Sequence, residues 1–365
     1  MATIQDVTSF LEDMAPRSLQ ESYDNTGLLT GSADRACEGV LVSLDVTEAV
    51  VQEAVDRKAN LVVAHHPLIF KGLKRVDPAH PVGRTLIAAI RNDIAVYALH
   101  TNLDNVLPGV NGALAERLGI SALRVLKPME GRLRKLHCYV PAAFLEAVRD
   151  ALFGAGAGHI GRYHGCSFFS PGTGTFTAGE GAQPFVGEMG RPHEEAEQKL
   201  EVVFPAHLEG RVVRAMREAH PYEEVAYDVM RLENPLDTVG AGLLGELPLE
   251  MPESDFLDRV KSACGIPCLR HSRPTGRLVR KVALCGGAGG FLLPDALRSG
   301  ADAFLTADLK YHDFFEPDGR MLLVDMGHGE VESFMVDTVC DTLKKKFHTF
   351  AVLKSAERTN PVHYH

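Results

Sequence analysis

The sequence contains no tryptophan, and no apolar run approaches the ~20 residues that a membrane-spanning helix requires. Its first residues, MATIQDVTSFLEDMAP, include acidic side chains and lack the apolar segment of a signal peptide. No serine or cysteine lies in a GxSxG context, which argues against an acyl-enzyme mechanism. These absences favour a cytoplasmic globular protein with no membrane partner.

The chain of 365 residues also lacks an excess of positive charge. Its formal net charge of -10 argues against a general nucleic-acid binder, which would present a basic surface to the phosphate backbone. A small anionic ligand held in a local pocket remains compatible with that charge. The seven cysteines are odd in number and scattered, which is typical of a reducing compartment and not of a disulfide framework.

Short, continuous apolar runs that end in polar residues predict buried parallel strands in two parts of the chain. Between the early runs lie amphipathic segments that predict helices, the first with Thr47 as its N-cap. Alternating strands and helices predict an α/β domain with mostly parallel sheets. The runs are VLVSLD (40–45), LVVAHH (61–66), IAVYALH (94–100), KVALCGG (281–287), AFLTAD (303–308) and MLLVDMGH (321–328).

The middle of the chain contains a sequence pattern that occurs twice. KLHCYVP from Lys135 and KLEVVFP from Lys199 each predict a strand, a proline and then an amphipathic helix, followed by a further strand. Two strand–helix–strand units predict a ferredoxin-like α+β domain, with four antiparallel strands and two helices on one face. We therefore expect three segments: residues 1–129 as the first half of a discontinuous α/β domain, 130–242 as the insert and 243–365 as the second half.

Histidines and carboxylates of the outer domain follow the predicted strands, where ligand sites of open α/β sheets lie. The doublet His65–His66 ends one run, and Pro67 keeps the residue before it extended. Neighbouring side chains of a strand point apart. Two imidazoles spread in this way suit two adjacent ions better than one ion.

The later segment DMGHGEVES places Glu332 four residues after His328, on the same side of a helix that begins there. Two-metal hydrolytic sites hold their ions ~3.5–4 Å apart, and Glu332 is the predicted bridging carboxylate. Asp104, in HTNLDN, supplies a further carboxylate. Imidazole and carboxylate ligands without thiolate suit zinc, iron, manganese or cobalt, and the ligand types do not choose among them.

Other interpretations of these residues are open. A single buried histidine near a strand end is often a satisfied core residue, and the chain has sixteen histidines. The segment GGAGG (286–290) suits either a phosphate cradle or a tight strand-to-helix turn, because it lacks the Lys-Ser/Thr of a P-loop. The glycines of the insert are typical of structural loops.

Taken together, several motifs resemble those of one family, the GTP cyclohydrolase I type 2 homologues, also called the Ngg-interacting-factor-three family. The insert resembles the PII-like or CutA-like domain of its longer bacterial members. One departure is Ala307, where the family commonly has glycine. The motifs that carry the resemblance are YDNTGLLTG, AHHPLIF, HTNLDN, GGAGG, TADLKYHD, DMGHGEVES and TNPVHYH.

The resemblance implies a dinuclear metal centre held by the same residues that the strand ends and the His–Glu spacing indicate: His65, His66, Asp104, His328 and Glu332, the last as the bridging ligand. It also implies a homohexameric toroid, with the inserts gathered around a three-fold axis.

Two functions are compatible with these expectations. The first is a hydrolase that uses two divalent ions to act on a nucleotide or a phosphorylated small molecule, as a GTP cyclohydrolase would. His100, Asp308 and His312 are its candidates for orienting groups or for proton transfer. The second is a non-enzymatic hexamer that senses or stores a metal or a metabolite, with the insert as its regulatory domain.

Overall fold

A computed structural model describes residues 2–365 and divides the chain into two compact units. One comprises Met1–Lys127 with Thr238–His365, and the other is Pro128–Asp237. The strands, in chain order, are β1 (Gly27–Thr30), β2 (Gly39–Ser43), β3 (Leu61–Ala64), β4 (Ala95–Ala98), β5 (Ser121–Met129), β6 (Leu133–Pro141), β7 (Phe168–Thr177), β8 (Pro192–Pro205), β9 (Tyr227–Leu232), β10 (Leu236–Pro252), β11 (Arg270–His271), β12 (Leu278–Leu284), β13 (Ala303–Thr306), β14 (Leu322–Asp325) and β15 (Ala351–Lys354).

The helices are α1 (Ile4–Met14), α2 (Glu48–Asp56), α3 (Pro81–Arg91), α4 (Thr101–Asp104), α5 (Val110–Leu118), α6 (Leu145–Gly154), α7 (Glu209–Ala219), α8 (Glu253–Cys264), α9 (Leu293–Arg298), α10 (His328–Glu332) and α11 (Met335–Lys346). Short 3-10 helices lie at Arg17–Leu19, Ala142–Phe144, Ala206–Leu208, Gly289–Leu292 and Tyr311–Phe315. Among residues 2–365, no helix is both long and apolar enough to cross a membrane.

The first sheet of the larger unit has the order β1-β4-β3-β2-β15. Its central strands β2, β3 and β4 are parallel and buried along their whole length, as their continuous apolar sequence predicts. Helix α2 begins after Thr47, whose side chain accepts a hydrogen bond from the amide of Val50, so the predicted N-cap is confirmed. Helices α2 and α3 pack on the sheet through a shared core that includes Val50, Val62 and Ala89.

The second sheet of this unit has the order β11-β14-β13-β12-β10-β5. Its parallel centre, β12-β13-β14, coincides with the three late apolar runs of the sequence. Strands β10 and β11 run antiparallel to their neighbours β12 and β14. In the first sheet, β1 is likewise antiparallel to β4.

The expectation of mostly parallel sheets holds for β4-β3-β2-β15 of the first sheet, but both sheets are mixed because each also contains antiparallel strands. Their antiparallel strands lie outside the apolar runs, since they are partly exposed and do not need continuous apolar sequence. The strand ends that carry the candidate site also belong to two sheets instead of one: His65 and His66 follow β3, and His328 follows β14.

The unit Pro128–Asp237 contains four antiparallel strands in the order β7-β8-β6-β9 and the helices α6 and α7. The two copies of the repeated pattern form β6 and β8, which are neighbours. Alternate residues of these strands, such as Leu136 and Val202, form one core with Val148 of α6 and Val212 of α7. Both helices therefore lie against the same face of the sheet.

Candidate metal centre

Strand ends position the histidines of the cluster. The amides of His65 and His66 donate to the carbonyls of Ser43 and Leu44, which extends the pairing of β3 with β2 past the last residue of the strand. On the other sheet, Gly327 turns the chain at φ +84° between β14 and α10. Helix α10 therefore begins at His328. It is little more than one turn long, so Glu332, four residues later, lies on the same side of the helix as His328.

One oxygen of Glu332 lies between two imidazoles from opposite ends of the chain. Oε2 is 2.9 Å from Nε2 of His66 and 3.1 Å from Nε2 of His328. The two Nε2 atoms are themselves 3.3 Å apart. The structure thus brings together three of the predicted metal ligands around one point.

The other oxygen of Glu332 faces His65. Nε2 of His65 lies 3.7 Å from Oε1 of Glu332 and 3.7 Å from Oδ1 of Asp104. These separations are too long for hydrogen bonds. His65 is fully buried, and among the described residues neither of its ring nitrogens nor Oδ1 of Asp104 has a hydrogen-bond partner. Buried polar atoms are almost always paired, so this group of unpaired atoms requires a further partner.

The chemistry of these atoms fits a cation. Two ligands that share one ion at about 2.1 Å in tetrahedral geometry lie about 3.4 Å apart, close to the separations found here. One atom each from His65, His66 and Glu332 lie within 4.8 Å of one another, a possible metal-binding cluster. His65, His66 and Glu332, three of the five predicted ligands, therefore fit a metal ion in type and position.

The pKa values of the clustered side chains are shifted by burial and by the charges of their neighbours. Burial and the Glu332 carboxylate raise the pKa of Asp104. Burial alone would raise the pKa of Glu332 as well, but the surrounding histidines hold it well below its ordinary value. Burial lowers the pKa of His65 and so favours the neutral imidazole that metals bind. Burial opposes the charged form of His66, yet the Asp45 and Glu332 carboxylates raise its pKa to about 10.

Two of the histidines are oriented by carboxylates behind them. Nδ1 of His66 donates to Asp45 at 2.7 Å, and Nδ1 of His328 donates to Asp308 at 2.8 Å. Asp45 in turn accepts a hydrogen bond of 2.6 Å from the hydroxyl of Thr359, near the C-terminus. Such carboxylate–histidine pairs fix the tautomer and ring orientation of metal-binding histidines.

His100 is held next to the cluster by a buried carboxylate. Its ring centre lies 5.4 Å from that of His65 and 5.6 Å from that of His66. Nδ1 of His100 donates to Asp24 at 2.7 Å, and Asp24 also accepts from the amide and hydroxyl of Thr101. Burial opposes ionisation of Asp24, but these hydrogen bonds lower its pKa to about 2. In the neutral ring, Nε2 of His100 remains a proton acceptor.

The cluster lies in a half-open cavity of about 470 Å³ within the larger unit. The segment GGAGG forms one wall as a tight turn that leads into the 3-10 helix Gly289–Leu292. Gly287 has φ +62°, and an added Cβ there would lie 2.5 Å from Oε1 of Glu332. Glycine at this position thus permits both the turn and the close approach of the carboxylate. Exposed aromatic rings of Tyr23, Phe70 and Phe291 also line the cavity.

One predicted residue lies apart from this group. His312 is exposed in the 3-10 helix Tyr311–Phe315, where its ring contacts Tyr311 and Phe315. The residues that line the cavity do not include it. Conversely, Asp24 and Thr359 were not selected as site residues from the sequence. Their only signal was their position in the quoted motifs YDNTGLLTG and TNPVHYH.

These features define an α/β protein whose strand ends converge on a possible metal site of histidines and carboxylates. Residues 2–361 match the family described as Duf34/NIF3 (NGG1p interacting factor 3), and the chain belongs to that family. Among solved structures, a Bacillus cereus protein related to NIF3 superposes with a TM-score of 0.86 at 38% identity, covering 100% of this chain and 99% of that one.

Curated relatives carry the name "GTP cyclohydrolase 1 type 2 homolog". The Bacillus subtilis protein is 41% identical over 328 residues, which span 89% of this chain and 87% of the relative. The Mycobacterium tuberculosis protein is 38% identical and covers 94% of this chain and 92% of its own length. The family expected from the sequence motifs is therefore confirmed.

Proposed function

We propose that the chain binds two divalent metal ions, bridged by Glu332, and uses them in a hydrolytic reaction. The observation that carries this proposal is His65, a fully buried imidazole with no hydrogen bond from the described residues and two carboxylate oxygens 3.7 Å away. Zinc, iron, manganese and cobalt all suit such ligands.

The two oxygens of Glu332 divide the ligands into two sets. Oε1 faces His65, whose Nε2 also lies 3.7 Å from Asp104, whereas Oε2 faces His66 and His328. Each set would hold one ion, and the shared carboxylate would offset the repulsion between the two positive charges. When bound, the ions supply Lewis acidity and lower the pKa of water enough to provide a nucleophile near neutral pH.

The protein's own residues would orient the ligands and move a proton. Asp45 and Asp308 hold the rings of His66 and His328 through Nδ1, which leaves Nε2 directed towards Glu332. His100 lines the cavity, and Asp24 fixes its ring, so Nε2 is the proposed proton acceptor.

The substrate class follows from the cavity and from the relatives. A volume of about 470 Å³ is within the usual range for small-molecule sites, and the aromatic rim suits a planar ring. Relatives are named as homologues of GTP cyclohydrolase. We therefore propose a nucleotide or a phosphorylated small molecule, with GTP as the first compound to test.

The test combines metal analysis with a turnover screen. Elemental analysis of the purified protein should give two metal atoms per chain. Protein loaded with zinc, manganese, iron or cobalt should hydrolyse a member of a panel of nucleotides and phosphoesters. Glu332→Gln should abolish turnover, whereas Glu116→Gln, an exposed change in α5, should not. A single metal atom per chain would contradict the two-ion site, and full occupancy without turnover would contradict the hydrolase.

That last outcome would favour the second candidate, a hexamer that senses or stores a metal or a metabolite. The observation behind it is the compact unit Pro128–Asp237, which has its own core and its own cavity. We propose that this unit, expected from the sequence as residues 130–242, forms a ferredoxin-like, PII-like insert, since the strand order β7-β8-β6-β9 is compatible with that plan. The proposed assembly, a cytoplasmic homohexamer, can be tested by light scattering.

A further inference from the structure

A second cavity, of about 640 Å³, lies wholly within the unit Pro128–Asp237. Its volume is within the range of small-molecule sites. It shares no lining residue with the cavity of the metal cluster. Its walls are more apolar than polar and are formed by β7, the loop after it, parts of β6 and β8, and the segment before β9.

A buried carboxylate lies in this cavity. The side chain of Glu197 belongs to a residue only 9% exposed, and its Oε1 accepts a hydrogen bond of 2.9 Å from the hydroxyl of Tyr222. Burying a carboxylate is costly unless charge or hydrogen bonds compensate it. One neutral phenol compensates only part of the charge, so the carboxylate can still accept a strong donor.

The position of Tyr222 is fixed by hydrogen bonds of His220. Burial lowers the pKa of His220, and its Nε2 donates to the carbonyl of Tyr139 at 2.9 Å. Nδ1 of the same ring then accepts a hydrogen bond from the amide of Tyr222. The buried carboxylate and its phenol are therefore set in place before any ligand arrives.

Two glycines of β7 lie on the Glu197 side of the sheet. Gly172 is paired with Glu197 across the strands, and an added Cβ there would meet nothing within 4 Å. At Gly174 an added Cβ would lie 2.2 Å from Oε2 of Glu197. Neither glycine has a positive φ, so the backbone does not require them. Gly174 thus permits the close approach of the Glu197 carboxylate. Glycine weakens a strand interior and often marks close approach by a ligand, which is how we interpret Gly172.

Charge decides which ligand fits. The lining contains three acidic residues, Glu197, Glu223 and Glu224, and one basic residue, Lys199. The ammonium of Lys199 already pairs with Glu201 at 2.9 Å. An anion would lie next to a buried negative charge. A cation would gain a charge-assisted hydrogen bond from the carboxylate and contact with aromatic rings that attract positive charge. The aromatic rings in the lining are those of Tyr139, Phe176, Phe185 and Tyr222.

We propose that this cavity binds a small organic cation, an alkylamine or a guanidinium compound. Its N–H groups donate to Glu197, and its hydrocarbon part lies against the rings of Phe185 and Tyr222, whose centres are 6.1 Å apart. The site is separate from the metal centre in its residues and in its chemistry, and it does not depend on the proposed hydrolase activity.

The test uses calorimetric titration of the full-length, metal-loaded protein with three probes: agmatine, n-butylamine and butyrate. We expect one saturable site per chain for the two cations and none for butyrate. Glu197→Gln removes the charge but keeps an acceptor for Tyr222, and it should weaken cation binding by at least about tenfold. Gly172→Val adds a side chain where there is open space in β7 and should weaken binding similarly.

Two controls separate this site from other acidic positions. Glu195→Gln, two residues along β8 and outside the lining, should leave the affinity within about twofold of the original. The unaltered protein titrated after removal of its metal should bind the cations with the same affinity, which would exclude binding at the metal centre. The proposal is overturned if neither cation binds saturably, if butyrate binds as well as butylamine, or if Glu197→Gln leaves the affinity unchanged. It is also overturned if Glu197→Gln alters only the oligomeric state, because the face would then contact a second copy of the chain.

Discussion

Nε2 of His66 lies 2.9 Å from Oε2 of Glu332, although 266 residues separate them in the chain. This contact joins the end of a strand in one sheet to the single-turn helix that follows a strand in the other. The pair therefore depends on the packing of the two sheets as well as on local sequence. Changes to Glu332 and to its contacts should consequently act on the metal centre as a whole.

Glu332→Gln should remove most of the bound metal. The amide keeps the shape of the side chain but loses the charge that faces His65, His66 and His328. Replacing residues that only support metal ligands costs about 10–100-fold in affinity, and we expect a larger loss for the proposed bridging ligand. Competition titration with a zinc chelator measures it, with His80→Asn, an exposed change before α3, as a further control. Unchanged affinity would exclude Glu332 from the metal site.

The C-terminal segment should affect metal binding through Asp45. The hydroxyl of Thr359 donates to one oxygen of Asp45, and the other oxygen accepts from His66. Asp45→Asn should weaken metal binding by about 10–100-fold, and Thr359→Val should weaken it less, because it leaves the contact with His66 in place. Thr349→Val, an exposed change nearby in sequence, is the matched control. Equal affinities for Thr359→Val and Thr349→Val would show that the tail does not position the ligand.

Asp24 should make stability depend on pH in acid. Its pKa is about 2 in the folded chain against an ordinary value of 3.8, and a carboxyl group with a lowered pKa stabilises the fold above its unfolded pKa. That contribution, about 2 kcal/mol, is complete above pH ~4 and is lost as the pH falls towards ~2. Urea unfolding of metal-free protein should therefore show a shallower slope over that window for Asp24→Asn. Asp13→Asn, on the exposed side of α1, should retain the original slope.

The parts of this structure that the sequence predicted are those with local signals. The parallel strands β2, β3, β4, β12, β13 and β14 are continuous apolar runs, and their polar ends were identified for the same reason. Strand β15 could not be placed beside β2, because pairing between Ala351 and Gly39 leaves no local pattern. Strand β1 was also missed, because most of its residues are only partly buried and it lacks a continuous buried run.

The residues behind the candidate ligands were harder to predict than the ligands themselves. Asp24 and Thr359 lie outside the regular elements, where a polar residue is ordinary and carries no periodic signal. Their importance arises only when folding brings them to His100 and Asp45. His312 shows the reverse case, because it follows a strand end as the others do but lies exposed and outside the cavity.

Gly287 provides a steric test of the centre. An added Cβ would lie 2.5 Å from Oε1 of Glu332, and the residue also has φ +62°. Gly287→Ala should therefore displace the carboxylate and weaken metal binding in addition to its backbone cost, which for alanine in this region is about 1–2 kcal/mol. Gly319→Ala separates the two effects, since Gly319 has φ +69° and nothing lies within 4 Å of an added Cβ.

Both glycine variants should lose similar free energy of unfolding from backbone strain when they are compared without metal. Only Gly287→Ala should require a higher zinc concentration for half-saturation, measured by competition with a chelator at fixed pH. Equal zinc affinities in the two variants would mean that Glu332 can move away from the new methyl group and still bind. In that case the close approach at Gly287 would not be what sets the position of the Glu332 carboxylate.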